Sequence, residues 1–166
     1  MKIPLLLRSA IFSTLLITCF IFSSCGCHFA TIKEYQVDKI NIYGKLFNNT
    51  DEVIWQDGLM VFDIVWVLEK MNVELEWDNN IAYFSLNETD YILDLDKQIL
   101  REKGKEQENL LVYGGGRIFI GMINGKLYVD SVTLTLVLYD LKLYSYVEDD
   151  RKNNTVNIVI NPNYPR

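Results

Sequence analysis

The chain has 166 residues and a formal net charge of −6, with 49% hydrophobic and 13% aromatic residues. This is enough apolar material for one buried core, so we predict a single globular domain. The acidic balance makes a phosphate backbone a poor partner, and no cluster of lysines and arginines offsets it, so we predict no binding of nucleic acid. A single histidine, His28, leaves Ser or Cys activation without its commonest base, so we predict that the protein is not an enzyme.

The first 24 residues are predicted to be an export signal of the lipoprotein type. Lys2 and Arg8 precede an apolar run from Ala10 to Phe22, which is too short for a membrane-spanning helix. Two serines then precede Cys25, as in the lipobox of bacterial lipoproteins, so we expect Cys25 to be acylated and to become the new N-terminus. Lipidation at Cys19 is a weaker alternative, and a secreted soluble form and an uncleaved signal anchor are two others.

Cleavage before Cys25 removes Lys2 and Arg8 but no acid, so the mature chain has 14 basic and 22 acidic residues and a formal charge of −8. Residues 29–36 show no strong period, and residues 25–36 are predicted to form a tether. Because an extended residue spans about 3.4 Å, ten or so residues reach only about 35 Å. We therefore expect the domain to stand close to the outer face of the cytoplasmic membrane, with secretion as the second choice.

Cysteine and histidine residues near the new N-terminus raise the question of a metal-binding site. Cys25, Cys27 and His28 offer thiolate and imidazole, the usual zinc ligands. Three ligands within four residues at a lipidated terminus cannot close a tetrahedral site, so we expect a tether and neither metal nor cofactor. After lipidation only Cys27 is a free thiol, which excludes an internal disulfide framework but leaves pairing between two chains open.

The predicted domain covers residues 37–161, followed by a tail at 162–166. Its first half has turn signals and alternating apolar residues typical of strands, and Asp57 and Gly58 mark a hairpin. Asp63 is a predicted helix cap because its carboxylate can accept from backbone N–H groups two or three residues on. The segments predicted for this half are strands at Lys39–Tyr43, Val53–Trp55, Met60–Phe62, Val73–Trp77 and Ile81–Leu86, and a helix from Ile64 to Met71.

The second half repeats this order. Asn124 and Gly125 mark a tight hairpin whose second strand leads to Asp130, as the first hairpin leads to Asp63. Residues 131–138 alternate in the manner of a strand, but as the counterpart of the first helix we predict that they are helical. The copies span about 37–86 and 91–160. Further strands are predicted at Tyr91–Asp96, Leu110–Tyr113, Leu141–Val147 and Thr155–Ile160, with a flexible loop at 114–116. The predicted class is α+β, with antiparallel strands curled around short helices in two related β-hairpin/helix/β-hairpin halves.

With both copies laid out, the chain resembles the copper amine oxidase N-terminal-like, or stalk, domain family of exported bacterial proteins. The register of the family repeat is carried in the first copy by Asp63, Ile64, Val67, Glu69, Met71, Glu74, Leu75, Glu76, Trp77 and Asp78. In the second copy it is carried by Asn124, Gly125, Tyr128, Val129, Leu134 and Leu138. The family's Pro-Leu-Arg lacks its proline and arginine here, and aspartates occupy the proline position. The resemblance implies antiparallel strands twisted about a helix.

The resemblance does not imply amine oxidation. Copper amine oxidases use three histidine ligands and a modified tyrosine in a separate catalytic domain, whereas this chain has one histidine. We predict instead a non-catalytic, membrane-anchored extracytoplasmic module that binds or spaces a cell-envelope component, a wall glycan or another exported protein. Its expected contact residues are exposed aromatics, because their faces supply much of such contact energy: Trp55, Tyr43, Tyr83 and Tyr113.

Two alternative functions remain open from the sequence. The first is an inhibitor or regulatory partner of another exported protein. The second is a hydrolase that uses paired carboxylates, either Glu74 with Glu76 or Asp94 with Asp96. The hydrolase requires an acid with a raised pKa in a cleft, which the structure can test.

Overall fold

The computed structural model describes residues 34–112 and 119–161. The chain divides into two compact units, residues 1–33 and 34–166, and the described residues all belong to the second. Several predicted features fall outside the described residues: the signal at 1–24, the lipidation site Cys25, most of the tether at 25–36, the contact candidate Tyr113, the glycine loop at 114–116 and the tail at 162–166.

Three four-stranded sheets make up most of the described residues. The first has the strand order β11-β12-β1-β2, the central sheet β3-β4-β10-β9 and the third sheet β5-β6-β7-β8. Neighbouring strands are antiparallel except β1 and β12, which are parallel. The elements are β1 (Lys39–Ile42), β2 (Lys45–Asn48), β3 (Val53–Gln56), β4 (Leu59–Asp63), α1 (Ile64–Lys70), β5 (Glu76–Asp78), β6 (Ile81–Leu86), β7 (Thr89–Asp94), β8 (Ile99–Glu102), β9 (Ile120–Ile123), β10 (Lys126–Asp130), α2 (Ser131–Asp140), β11 (Ser145–Asp150), a 3-10 turn (Arg151–Asn153) and β12 (Thr155–Ile160).

The predicted α+β class is wrong, and the fold is β-rich. Strands account for 47% of the described residues and helices for 16%. Both α-helices are short, with 7 and 10 residues. The strand content was underestimated because polar stretches also pair: β11 continues through Glu148, Asp149 and Asp150, beyond the end of the strand predicted at Leu141–Val147. The strands are also not uniformly antiparallel, since β1 and β12 pair in parallel.

Several predicted strands are wrong in detail, and the one predicted at Leu141–Val147 begins only at Ser145. The strand expected from Val73 begins only at Glu76, because the N–H group of Val73 donates to the Leu68 carbonyl at 3.0 Å and completes the helix end instead. Residues 110–112, predicted to start a strand, form a turn followed by irregular chain. There the Val112 N–H donates to the Asn109 carbonyl at 3.1 Å, a local bond that replaces pairing with a neighbouring strand.

The ambiguous segment at residues 131–138 is helical, as the comparison of the two copies predicts. Asp130 caps this helix: its Oδ1 accepts from the backbone N–H groups of Val132 at 2.9 Å and Thr133 at 3.1 Å. Its Oδ2 accepts from the Thr133 hydroxyl at 2.7 Å and the Phe119 N–H at 3.1 Å. The cap satisfies donors that the first turn leaves without helical partners, which outweighs the β-favouring residues in the segment.

The two hairpins that precede the helices correspond residue by residue. Val53 begins β3 and Ile120 begins β9, while Asp63 ends β4 and Asp130 ends β10, so the offset is 67 residues at both ends (120 − 53 and 130 − 63). The same offset relates two bonds: Asp63 N–H donates to the Glu52 carbonyl, and Asp130 N–H to the Phe119 carbonyl. Both turns place two residues at positive φ, which Gly58 and Gly125 adopt without a steric penalty.

The central sheet pairs the copies about a pseudo-two-fold axis. Its register places Phe62 opposite Val129, with Asp63 opposite Tyr128 and Val61 opposite Asp130. If each residue is replaced by its counterpart in the other copy, 67 positions away, the same three pairs are obtained. The axis therefore passes through the pair of Phe62 and Val129, and both side chains are fully buried.

The helices end in the same way in both copies. Asn72 and Lys142 adopt left-handed conformations with φ of 64° and 58°. Their N–H groups donate to the carbonyls of Glu69 and Tyr139, and the next residues donate to those of Leu68 and Leu138. This is a Schellman motif, which satisfies the last helical carbonyls and turns the chain sharply.

One cluster of buried apolar side chains joins the sheets and helices. In the third sheet the inward residues Ala82, Phe84, Tyr91 and Leu93 belong to it. The Phe84 and Tyr91 rings stack with centroids 5.3 Å apart. Since successive side chains of a strand alternate between faces, the opposite face of this sheet is left to the solvent.

Candidate functional site

The outer face of the third sheet is the best candidate for a binding surface. One row of cross-strand neighbours crosses all four strands: Glu76 on β5, Tyr83 on β6, Ile92 on β7 and Arg101 on β8. Tyr83 is 36% exposed, so much of its ring faces the solvent. A carboxylate and a guanidinium thus flank an aromatic and an aliphatic side chain on one surface.

Two open grooves meet at Tyr83. The first, of about 340 Å³, is lined chiefly by polar side chains that include Glu74, Glu76, Asp90 and Lys103. The second, of about 270 Å³, is lined by Ile81, Ile92 and Ile99 together with charged side chains. Because they share Tyr83, the grooves form one continuous surface, with a polar part and an apolar part.

The polar groove carries a small exposed network. The Ser85 hydroxyl donates to Asp90 Oδ1 at 2.6 Å, and Lys103 Nζ lies 3.8 Å from Asp90 Oδ2. Both partners of this ion pair are more than half exposed, so it adds little to stability. These groups can exchange their present partners for a ligand at low cost.

At the other groove, Asp94 is held in an ionised state. Lys97 Nζ donates to Asp94 Oδ2 at 2.8 Å, and the Lys97 N–H donates to Oδ1 at 2.9 Å. These bonds hold the pKa of Asp94 below its usual value and raise the pKa of Lys97. Asp94 is therefore an anchor of the Asp94–Ile99 turn rather than a proton donor.

Of the carboxylate pairs considered for a hydrolase, Glu74 and Glu76 both line the open polar groove, and Asp94 lines the other groove. Glu74, Glu76 and Asp96 are exposed, and Asp96 accepts from the Asn80 amide at 2.9 Å. The pKa of Asp94 is lowered, whereas a general acid requires a raised one. The arrangement therefore offers contacts to a ligand and gives no support to carboxylate catalysis.

A carboxyl group with a raised pKa occurs elsewhere, at Asp63. Burial raises its pKa, while the N–H of Trp66 at 3.2 Å and Lys126 Nζ at 3.7 Å partly oppose that shift. Asp63 caps α1 at the junction with the central sheet, outside the grooves that share Tyr83. We assign it a structural role.

We predict that Asp63→Asn is at least as stable as the wild type at pH 7. A raised folded-state pKa means that the folded protein binds more protons than the unfolded chain, so wild-type stability falls as pH rises from the ordinary value of 3.8 through the folded pKa. Asparagine caps helices as well as aspartate without a buried charge. Urea unfolding should show the relative stability of Asp63→Asn increasing with pH, and a decrease would contradict this account.

The other predicted contact aromatics lie apart from Tyr83. Trp55 is half-buried in the central sheet, where its Nε1 donates to the Tyr35 carbonyl at 2.8 Å and its ring meets that of Tyr35 edge-on. Tyr43 lies in the β1–β2 turn and shares a 2.7 Å hydrogen bond with Ser145. Trp55 and Tyr43 thus hold neighbouring segments together, while Tyr83 is on the third sheet. Tyr113 lies outside the described residues.

Sequence reasoning missed two features of this sheet. The alternation of residues 73–77 predicts that Trp77 points inward with Val73 and Leu75, but Trp77 is 43% exposed because β5 is a three-residue edge strand with little to cover it. Ile92 and Ile99 line the outer groove, and neither was predicted to be a contact residue. The one available signal was Ile92, which interrupts the acidic side of the alternation in residues 90–96.

Within residues 34–112 and 119–161, no helix has the length and apolar character needed to cross a membrane. The same residues contain no group of three or more His, Cys, Asp or Glu side chains arranged to hold a metal ion. Comparison with known proteins finds no matching family model, no matching curated protein and no matching solved structure. The resemblance to the stalk family therefore stays a prediction.

Proposed function

We propose that the chain is a non-catalytic, membrane-anchored extracytoplasmic module that holds a cell-envelope glycan on the outer face of its third sheet. The observation that carries this proposal is the exposed Tyr83 ring at the meeting point of the two grooves. The lipid anchor at Cys25 and the kinship with stalk domains are part of the same proposal, and both rest on the sequence.

The chemistry of the outer face suits a sugar chain. Sugar rings have apolar C–H faces that pack against an aromatic ring, and the tyrosine body offers such a surface. Their hydroxyl groups can bond to ionised side chains such as Glu76 and Arg101, and bonds to charged groups are the stronger ones. The row from β5 to β8 spans three strand spacings, about 14 Å, which suits an extended ligand better than an enclosed one.

We predict that Tyr83→Ala weakens glycan binding by about tenfold or more, since an aromatic residue at the centre of a contact commonly contributes more than about 1.4 kcal/mol. Purified residues 28–166 would be sedimented with isolated envelope glycan, and the bound fraction measured over a concentration series. Tyr43→Ala is the matched control, because Tyr43 is also 36% exposed and lies in the β1–β2 turn, away from the third sheet.

If the wild type and Tyr83→Ala bind the glycan equally well, the outer face of the third sheet is not the binding surface. If the glycan retains no wild-type protein, the glycan-binding function itself fails. Capture of an exported protein by crosslinking in that case would favour the alternative, an inhibitor or regulatory partner.

A further inference from the structure

Helix α2 has an exposed apolar stripe. Val132 is 65% exposed, Leu136 36% and Tyr139 46%, and they are spaced i, i+4 and i+7, which places them on one side of the helix. No charged residue occurs between Ser131 and Tyr139. The opposite side of the helix, with Leu134 and Leu138, is fully buried in the core.

The fold itself does not require this exposure, because the first copy avoids it. When the two helices are aligned at the Schellman motifs that end them, Leu136 corresponds to Trp66 and Tyr139 corresponds to Glu69. Trp66 packs edge-on against Phe47 of β2 at 5.5 Å, and Lys70 Nζ lies 5.7 Å from its ring centre. On α1 this side is thus covered by another strand and ends in charged residues. On α2 it is apolar and partly exposed, and the Tyr139 ring meets the Tyr144 ring edge-on at 5.6 Å.

The described end of the tether contacts the strand that follows α2. The Tyr35 hydroxyl donates to Asp149, and the Arg151 guanidinium lies over the Tyr35 ring at 5.7 Å. Asp149 lies four residues, about 13 Å, along β11 from Ser145, which follows α2 by a short connection. Only eight residues lie between Cys25 and Glu34, and the nine steps from one to the other reach about 30 Å. A lipid on Cys25 would keep α2 within reach of the membrane.

We propose that Val132, Leu136 and Tyr139 of α2 rest in the interface of the membrane that anchors the chain. This inference rests on the lipid anchor of the proposed function. An uncharged surface of aliphatic side chains with a tyrosine suits the boundary between acyl chains and headgroups. Three side chains form too small a contact for a stable dimer, which buries about 800 Å² on each partner. They are sufficient as a second, weak contact once the lipid holds the domain at the surface.

The test uses full-length lipidated protein in liposomes whose acyl chains carry bromine, which quenches nearby tryptophan fluorescence. Val132→Trp places a reporter in the stripe, and Leu46→Trp places one at a similarly exposed apolar position on β2, since Leu46 is 58% exposed. Flotation of wild type and Cys25→Ala measures the anchor separately. We expect Val132→Trp to lose most of its added emission, Leu46→Trp to retain it, and Cys25→Ala to lose flotation.

Each failure has its own signature. If both tryptophan variants float but neither is quenched, the α2 contact is refuted while the anchor stands. Equal quenching of both reporters would refute a contact specific to α2. Crosslinks joining the α2 helices of two chains on the liposomes would show that a second copy occupies the stripe instead. If the wild type does not float, the anchor fails and the α2 contact fails with it.

Discussion

Replacing Phe62 with alanine is expected to destabilise the domain by about 3–5 kcal/mol, the usual cost of truncating a fully buried phenylalanine. Phe62 is completely buried and lies on the pseudo-two-fold axis, opposite Val129 in the strand pair that joins the two copies. The cavity would open at the only direct strand pairing between the hairpins of the described copies, β4 with β10. Small domains have about 5–15 kcal/mol of stability, so this loss is a large part of the total.

Chemical unfolding monitored by circular dichroism would measure this loss. Val129→Ala removes less volume at the same axis and should cost less, while Leu46→Ala, at an exposed site, should change stability by no more than about 0.5 kcal/mol. A cost below about 1 kcal/mol for Phe62→Ala would mean that the pair on the axis does not hold the copies together.

Asp130→Ala is expected to cost about 2–4 kcal/mol. The loss of a helix cap costs about 0.5–2 kcal/mol, and buried donors left without partners add to it. Asp130 is buried and accepts four hydrogen bonds, from Phe119, Val132 and twice from Thr133. Its removal should loosen both the start of α2 and the entry to β9.

Asp63→Ala is the matched comparison for this variant, because Asp63 occupies the same position in the first copy. Its carboxylate caps α1 through a longer bond of 3.2 Å to Trp66 N–H, and burial already penalises its charge. We therefore expect Asp63→Ala to cost less than Asp130→Ala in the same unfolding experiment. The reverse order would contradict the roles assigned to the two caps.

Much of the local structure was predictable from short-range chemistry. Asp57-Gly58 and Asn124-Gly125 marked both hairpins, and the cap at Asp63 marked the first helix. The helical state of residues 131–138 followed from the repeat alone, since the alternation of the segment favours a strand. Comparison of two copies within one chain thus corrected a misleading local pattern.

What could not be predicted depends on contacts distant in sequence. The parallel pairing of β1 with β12 joins residues more than a hundred positions apart, and no turn signal announces it. The exposure of Trp77 depends on β5 being a sheet edge, and the exposure of Ile92 on which face of the sheet meets the core. Tyr83 was predicted as a contact residue only because it is aromatic. Its position between two grooves could not be predicted from the sequence.

The central claim is that the outer face of the third sheet binds an envelope glycan. Its most direct test is a titration of isotope-labelled residues 28–166 with soluble fragments of that glycan, followed by nuclear magnetic resonance. The account predicts amide shift changes concentrated on β6, β7 and β8 around Tyr83, Ile92 and Arg101, with little change at Tyr43 or Trp55. Changes confined to the first or central sheet, or no change at saturating glycan, would contradict it.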